Sequence, residues 1–175
     1  MLVKPHGRAD LNPLLVEVAQ RSDHLAKAKT LRPVKMTSRE LSDLLMFGMG
    51  AYSPLEGFMN EESWRKCCTD YETDQGLFWP IPITVSVSED TASSISIGET
   101  VALTDEDSTI YGTLKVDEKY TIDKDLECRE VYRTLDPKHP GVEKVMAQEP
   151  VNLAGSVTVL NEGIYPSTYK GLYLK

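Results

Sequence analysis

Much of what would give a chain an easily named chemistry is absent from these 175 residues. No apolar run approaches the roughly 20 residues that a membrane-spanning helix requires. The opening MLVKPHGRAD lacks the apolar stretch of a signal peptide, so a cytoplasmic location is expected and a membrane is not. Cysteine is scarce: Cys67, Cys68 and Cys128 form no C-x-x-C pair, which argues against zinc and for buried, idle thiols. There is no G-x-x-x-x-G-K-[ST] phosphate loop, no G-x-G-x-x-G fingerprint and no G-x-S-x-G nucleophile elbow. His6, His24 and His139 are far apart, with no H-x-x-x-H spacing for a metal. From these absences no catalytic, cofactor-binding or metal-binding residue is expected in the chain.

Net positive charge is also missing. The formal charge is −8, and it comes from one segment. Residues 1–88 hold eleven acids and ten bases, and residues 131–175 hold four and five, so these parts nearly balance. Residues 89–130 hold twelve acids and four bases. Binding to a phosphate backbone depends on neutralising it with Lys and Arg, so nucleic acid is disfavoured as a partner. A solvated acidic face that aids solubility is the simpler reading.

What is present reads as helices first and strands afterwards. DLNPLLVEVAQRSDHLAKAKTL has helical apolar spacing, with Asn12 and Pro13 expected as N-cap and first helical residue. MTSRELSDLLMFGMG is the clearest helix. Thr37 and Glu40 form a capping box, Leu41, Leu44 and Leu45 an apolar stripe, and Gly48 and Gly50 the stop. NEESWRKCCTDY reads as a further helix capped by Asn60. Beyond it GLFWPIPITVSVS is extended, because Pro80 and Pro82 exclude helix while Ile81, Ile83, Val85 and Val87 alternate.

Further strands are expected at TVALTD, TIYGTLKVDEKY, ECREVYRT and NLAGSVTVL, with a short helix at PGVEKVMAQ. Helices preceding short strands joined by tight turns favour α+β with an antiparallel, barrel-like sheet. A single domain over 1–175 is expected, helical over about 10–70 and mainly β over 77–175.

Three stretches invite a functional reading. GAYSPLEGFM, residues 50–59, is a loop by its Gly and Pro punctuation, yet Tyr52, Leu55 and Phe58 recur every three residues as though one side were covered. DPKHPG sets His139 in a turn, either as a base held by a carboxylate or, more simply, as a hydrogen-bonded structural histidine. VKPHGR near the start is a weak anion-cradle candidate, better read as a surface strand. The tail GIYPSTYKGLYLK carries three tyrosines and reads as the approach to another domain.

VKPHG, SRELSDL, GAYSPLEGFM, FWPIPITVSVS and TLDPKHPGV occur in an order and at spacings that resemble the N-terminal part of the ATP sulfurylase family. The resemblance runs from Lys4 to about Leu172. It implies a PUA-like β-barrel preceded by and interleaved with short helices. It also implies an enzyme that joins sulfate to the α-phosphate of ATP, giving adenosine 5′-phosphosulfate and pyrophosphate. Mg-ATP and a homo-oligomer belong to the full-length enzyme on that reading.

The Gln-x-Arg-Asn-Pro segment and paired-histidine motif of the family's catalytic domain are not in this sequence. No catalytic residue is transferred, and the C-terminal catalytic domain of the same enzyme becomes the expected partner. The loop, with Tyr52, Ser53, Pro54, Leu55, Phe58 and Met59, is then a candidate interdomain contact, and otherwise a plug for its own core. The alternative function is a free-standing PUA-like binding or scaffold module, since fold alone does not dictate activity.

Overall fold

The computed structural model of the chain describes residues 4–171. Its first helix, α1 (Val18–Ala28), starts later than the sequence suggests. Leu14–Val16 is held extended instead. Val16 N donates to Val159 O (2.9 Å), and Val159 N donates to Leu14 O (2.9 Å). Asn12, expected as the N-cap, gives its backbone N–H to Ser53 Oγ at 2.8 Å. A tertiary partner for the backbone thus overrides the local preference for helix. Of the α1 side chains only Ala28 is buried.

The short β1 (Pro33–Lys35) leads into α2 (Ser38–Met49), which follows the sequence reading closely. Thr37 Oγ1 accepts from Glu40 N, and Glu40 returns its carboxylate to Thr37 N at 2.8 Å. That reciprocal cap satisfies two helix-start donors. Leu41, Leu44 and Leu45 are buried, and Gly50 closes the helix in the left-handed conformation at φ 76°. After β2 (Gly57–Phe58) comes α3 (Glu61–Asp70), whose cap Asn60 accepts from Ser63 N.

The rest of the chain runs β3 (Val85–Val87), α4 (Glu89–Ser94), β4 (Thr100–Thr104), β5 (Ile110–Lys115), β6 (Glu118–Thr121), α5 (Lys124–Val131), α6 (Pro140–Met146), β7 (Val151–Val159) and α7 (Tyr165–Thr168). TIYGTLKVDEKY, expected as one strand, is the two strands β5 and β6. ECREVYRT, expected as a strand, lies largely in helix α5. Asp123 caps that helix by accepting from Leu126 N (2.9 Å), and Cys128 packs with Val142 and Val145 of α6, with Tyr132 against them. Cys128 and Tyr132 stand four residues apart, a helical spacing hidden beneath an apparent alternation.

The chain forms two compact units. One comprises the chain up to Gly57, Gly98–Val116 and the chain from Gly155 onward. In it β1 lies parallel to β4 (Val34 opposite Leu103), β4 antiparallel to β5 (Leu103 opposite Gly112), and β5 antiparallel to the end of β7 (Gly112 opposite Val159). The parallel pair departs from the antiparallel expectation. The long, helix-bearing connection from β1 to β4 makes it sterically possible. Leu44, Phe47, Leu103, Leu114 and Val159 are among the buried side chains of this unit.

The other unit comprises Phe58–Ile97 and Asp117–Ala154. Here β3 and β6 both pair antiparallel with the start of β7, so that Leu153 stands opposite Val85 and Lys119. Trp64 of α3 is fully buried, and its Nε1 donates to Glu127 Oε2 at 2.7 Å. A strand order with antiparallel pairing dominant and helices interspersed is α+β.

Candidate functional site

Residues 50–59 are built outward from the left-handed end of α2. Ala51 N and Gly50 N return to the carbonyls of Met46 and Phe47, so the loop starts as a closed helix end. Ser53, buried, donates from Oγ to Gly50 O (2.6 Å) and accepts from Asn12 N (2.8 Å). Leu55 N donates to Tyr52 O at 2.8 Å. The Ser53–Pro54 peptide is cis.

Tyr52 bends back over α2. Its ring meets Phe47 edge-on at 5.3 Å between centroids, and its hydroxyl donates to Asp43 Oδ1 at 2.7 Å. Arg39 donates to the other oxygen, Asp43 Oδ2, at 3.0 Å, and a second guanidinium nitrogen lies 3.6 Å from Glu40. Burial pushes the Asp43 carboxyl above its ordinary range, against the opposing pull of the Tyr52 hydroxyl and the Arg39 charge. The Tyr52 phenol is raised as well, by burial first and the Asp43 charge second. The arrangement holds a loop in place; both hydrogen-bond partners of the carboxylate are side chains of the same unit.

The six loop residues divide by exposure. Phe58 is 3% exposed and Met59 4%, so both are core residues. Met59 N donates to Ile83 O, and Met59 O accepts from the Tyr120 hydroxyl. For these two, and for Ser53 at 5% exposure, the expectation of an interdomain contact is corrected: a side chain with almost no surface left has little area to offer another domain. Tyr52, Pro54 and Leu55 are half-buried, and each keeps some surface.

The remaining candidates are structural. His139 caps α6, its Nδ1 accepting from Gly141 N (3.2 Å), and its ring rests on Tyr132. The nearby Asp136 carboxylate accepts from Lys138 N, which closes the turn. Residues 4–8 form a turn in place of the expected surface strand, with Arg8 paired to Glu56 at 3.5 Å, while Val3 lies outside the described residues. Cys67, Cys68 and Cys128 are free and buried. Burial, then the Glu127 charge, pushes the Cys67 thiol up to about 12 and raises Cys68 too. Thiols so protonated are poor nucleophiles.

The sequence reading missed the Trp64–Glu127 pair. A Trp beside vicinal cysteines on one helix could have signalled a buried polar partner, because an indole N–H in a core needs an acceptor. Among the described residues no group of three or more His, Cys, Asp or Glu is placed to hold a metal ion. Nor is any described helix long and apolar enough to cross a membrane. Of the tail, Tyr165 and Tyr169 stack at 6.3 Å on α7, and Tyr173 lies outside the described residues.

Mostly antiparallel strands with helices interspersed along the chain define the class of this protein as α+β. The chain belongs to the PUA-like domain family, which it matches over residues 3–162. Over 98% of its length it is 53% identical to the sulfate adenylyltransferase of Syntrophobacter fumaroxidans, of which it spans 43%. It is likewise 48% identical to the sulfate adenylyltransferase of Psychrobacter cryohalolentis, across 98% of this chain and 42% of that protein. The chain therefore spans less than half the length of these curated relatives. Among solved structures, a hexameric APS kinase from Thiobacillus denitrificans shares the fold at a TM-score of 0.69 and 23% identity, over 93% of this chain and 27% of that one.

Proposed function

We propose that this chain is the N-terminal PUA-like portion of a sulfate adenylyltransferase and is not catalytic by itself. One observation carries the reading: identity of 53% and 48% extends over nearly all of this chain but well under half of each relative. The rest of such an enzyme then supplies the groups that transfer the adenylyl moiety. In-line attack at phosphorus needs concentrated positive charge and oriented donors at the reacting centre. Beside the 50–59 loop, Arg39 is already committed to Asp43, and elsewhere burial keeps the Cys67 thiol protonated.

On this reading Mg-ATP and sulfate are substrates of the whole enzyme, which works in sulfate activation in the cytoplasm as a homo-oligomer. The catalytic domain is the partner, and Tyr52, Pro54 and Leu55 offer it the remaining surface of the loop, with Ser53 holding the loop's shape from beneath. Pyrophosphate release with ATP, magnesium and sulfate tests the assignment on two samples: the 175-residue chain and the product of its complete reading frame. Turnover is expected only from the second, with a Gln-x-Arg-Asn-Pro segment encoded beyond residue 175. Sulfate-dependent turnover by the short chain alone would overturn the assignment.

A further inference from the structure

Asn152 of β7 is a polar residue with no exposed surface, at 0%. It stands opposite Ser86 of β3 and Tyr120 of β6, and both of these are buried as well. Residues directly opposite one another in antiparallel strands share a face of the sheet, so the three side chains lie in one row.

Tyr120 fixes which way the Asn152 amide is turned. Its hydroxyl donates its single proton to Met59 O at 2.9 Å, and burial keeps that phenol protonated. Toward Asn152 the hydroxyl therefore accepts, and the group that meets it at 3.2 Å is the donor, Nδ2. Turning the amide over would set two acceptors against each other. Asn152 Oδ1 is thus held on the other side of the amide, and it has no hydrogen-bond partner in the protein. Among the described residues Gln148 Oε1 is in the same condition, but Gln148 keeps some surface.

A buried carbonyl oxygen without a donor is costly, and folded proteins satisfy such atoms from the chain or from ordered water. Ser86 Oγ, across from Asn152, accepts from Glu149 N at 3.3 Å and makes no hydrogen bond to Asn152 Oδ1. Two oxygens in register on one face, yet not bonded to each other, are the setting in which a water spans the distance with its two protons. A cation is the poorer match, because a single neutral amide oxygen is far short of the roughly six to eight oxygens that calcium takes.

We propose that Asn152 Oδ1 is the binding site of one internal water, which gives one proton to that oxygen and the other to Ser86 Oγ. The water ties β3 to β7 through side chains, as the Tyr120 hydroxyl ties β6 to β7 from the other end of the amide. The inference stands whether or not the chain belongs to a larger enzyme.

Relaxation dispersion of the oxygen-17 signal of water, which counts long-lived internal waters in solution, tests this on the product of the complete reading frame. The parent is expected to hold one such water more per chain than Asn152→Leu, which keeps the side-chain volume and removes the acceptor. Ser86→Ala is expected to retain the water with a shorter residence time, because one of its two bonds is gone. Equal counts in the parent and Asn152→Leu overturn the proposal. Should that variant fail to fold, a crystal structure of the parent that shows ordered water decides by itself. A water oxygen roughly 2.5–3.0 Å from Asn152 Oδ1 is expected there. A protein donor on that oxygen, or apolar side chains closed against it with no water between, overturns the proposal.

Discussion

Gly57 stands against the backbone of Gly155 so closely that a Cβ added to it would lie 1.9 Å from the Gly155 carbonyl oxygen. The next atoms are backbone too, with Ser156 Cα at 2.9 Å, so no flexible side chain can move aside. The contact is locked by Val157 N donating to Glu56 O at 3.0 Å. Gly57→Ala is expected to displace the strand and cost at least the roughly 1–3 kcal/mol typical of an overpacked core. Urea denaturation checks it, and an unchanged midpoint would contradict the close approach.

Phe58 and Leu55, three residues apart in one loop, are expected to differ sharply. Phe58→Ala removes a ring that is 3% exposed and is expected to cost about 3–5 kcal/mol. Leu55 is half-buried and already in water on one side, so Leu55→Ala is expected to cost less than the roughly 2–5 kcal/mol of a fully buried leucine. Equal losses in melts of the two variants would mean that the whole loop is core.

The Asp43 carboxyl makes a pH prediction. Burial raises its folded-state pKa above the ordinary 3.8. Between 3.8 and that raised value the folded chain holds a proton that the unfolded chain has released. This contribution to stability is therefore complete below the lower value, is lost as pH climbs through the window, and is flat above it. Asn at 43 has no proton to lose. The melting temperature of Asp43→Asn minus that of the parent should climb with pH across the acidic window and then level off. A difference that falls with rising pH would reverse the assignment.

Local chemistry was legible where the chain answers to itself. The Thr37–Glu40 box, the Asn60 cap, the Gly50 stop and the Pro140 helix start are all short-range devices, readable within four residues. What could not be read depends on partners distant in sequence. Leu14–Val16 has a helical pattern but is extended because Val159 supplies its hydrogen bonds. ECREVYRT alternates well enough for a strand, yet α6 supplies a helical face for Cys128 to pack on. In the loop, the three-residue spacing of Tyr52, Leu55 and Phe58 correctly signalled a covered side. It carried no information on whether the cover was this chain's own core, and for Phe58 it is.

Strand β7 has a consequence for how the protein comes into being on the ribosome. Its first residues complete one unit, through Val85 and Tyr120's strand, and its last complete the other, through Gly112 and Leu15. Both units are interleaved along the chain, and each waits for residues 151–159 before its pairing is finished. A nascent chain that has already released α2 and α3 from the exit tunnel still carries open strand edges on β3, β5 and β6. Unpaired edges of that kind are the sites where chains stick to one another. The interval between emergence of β6 and emergence of β7 is thus the stretch of synthesis in which a holding chaperone has most to protect.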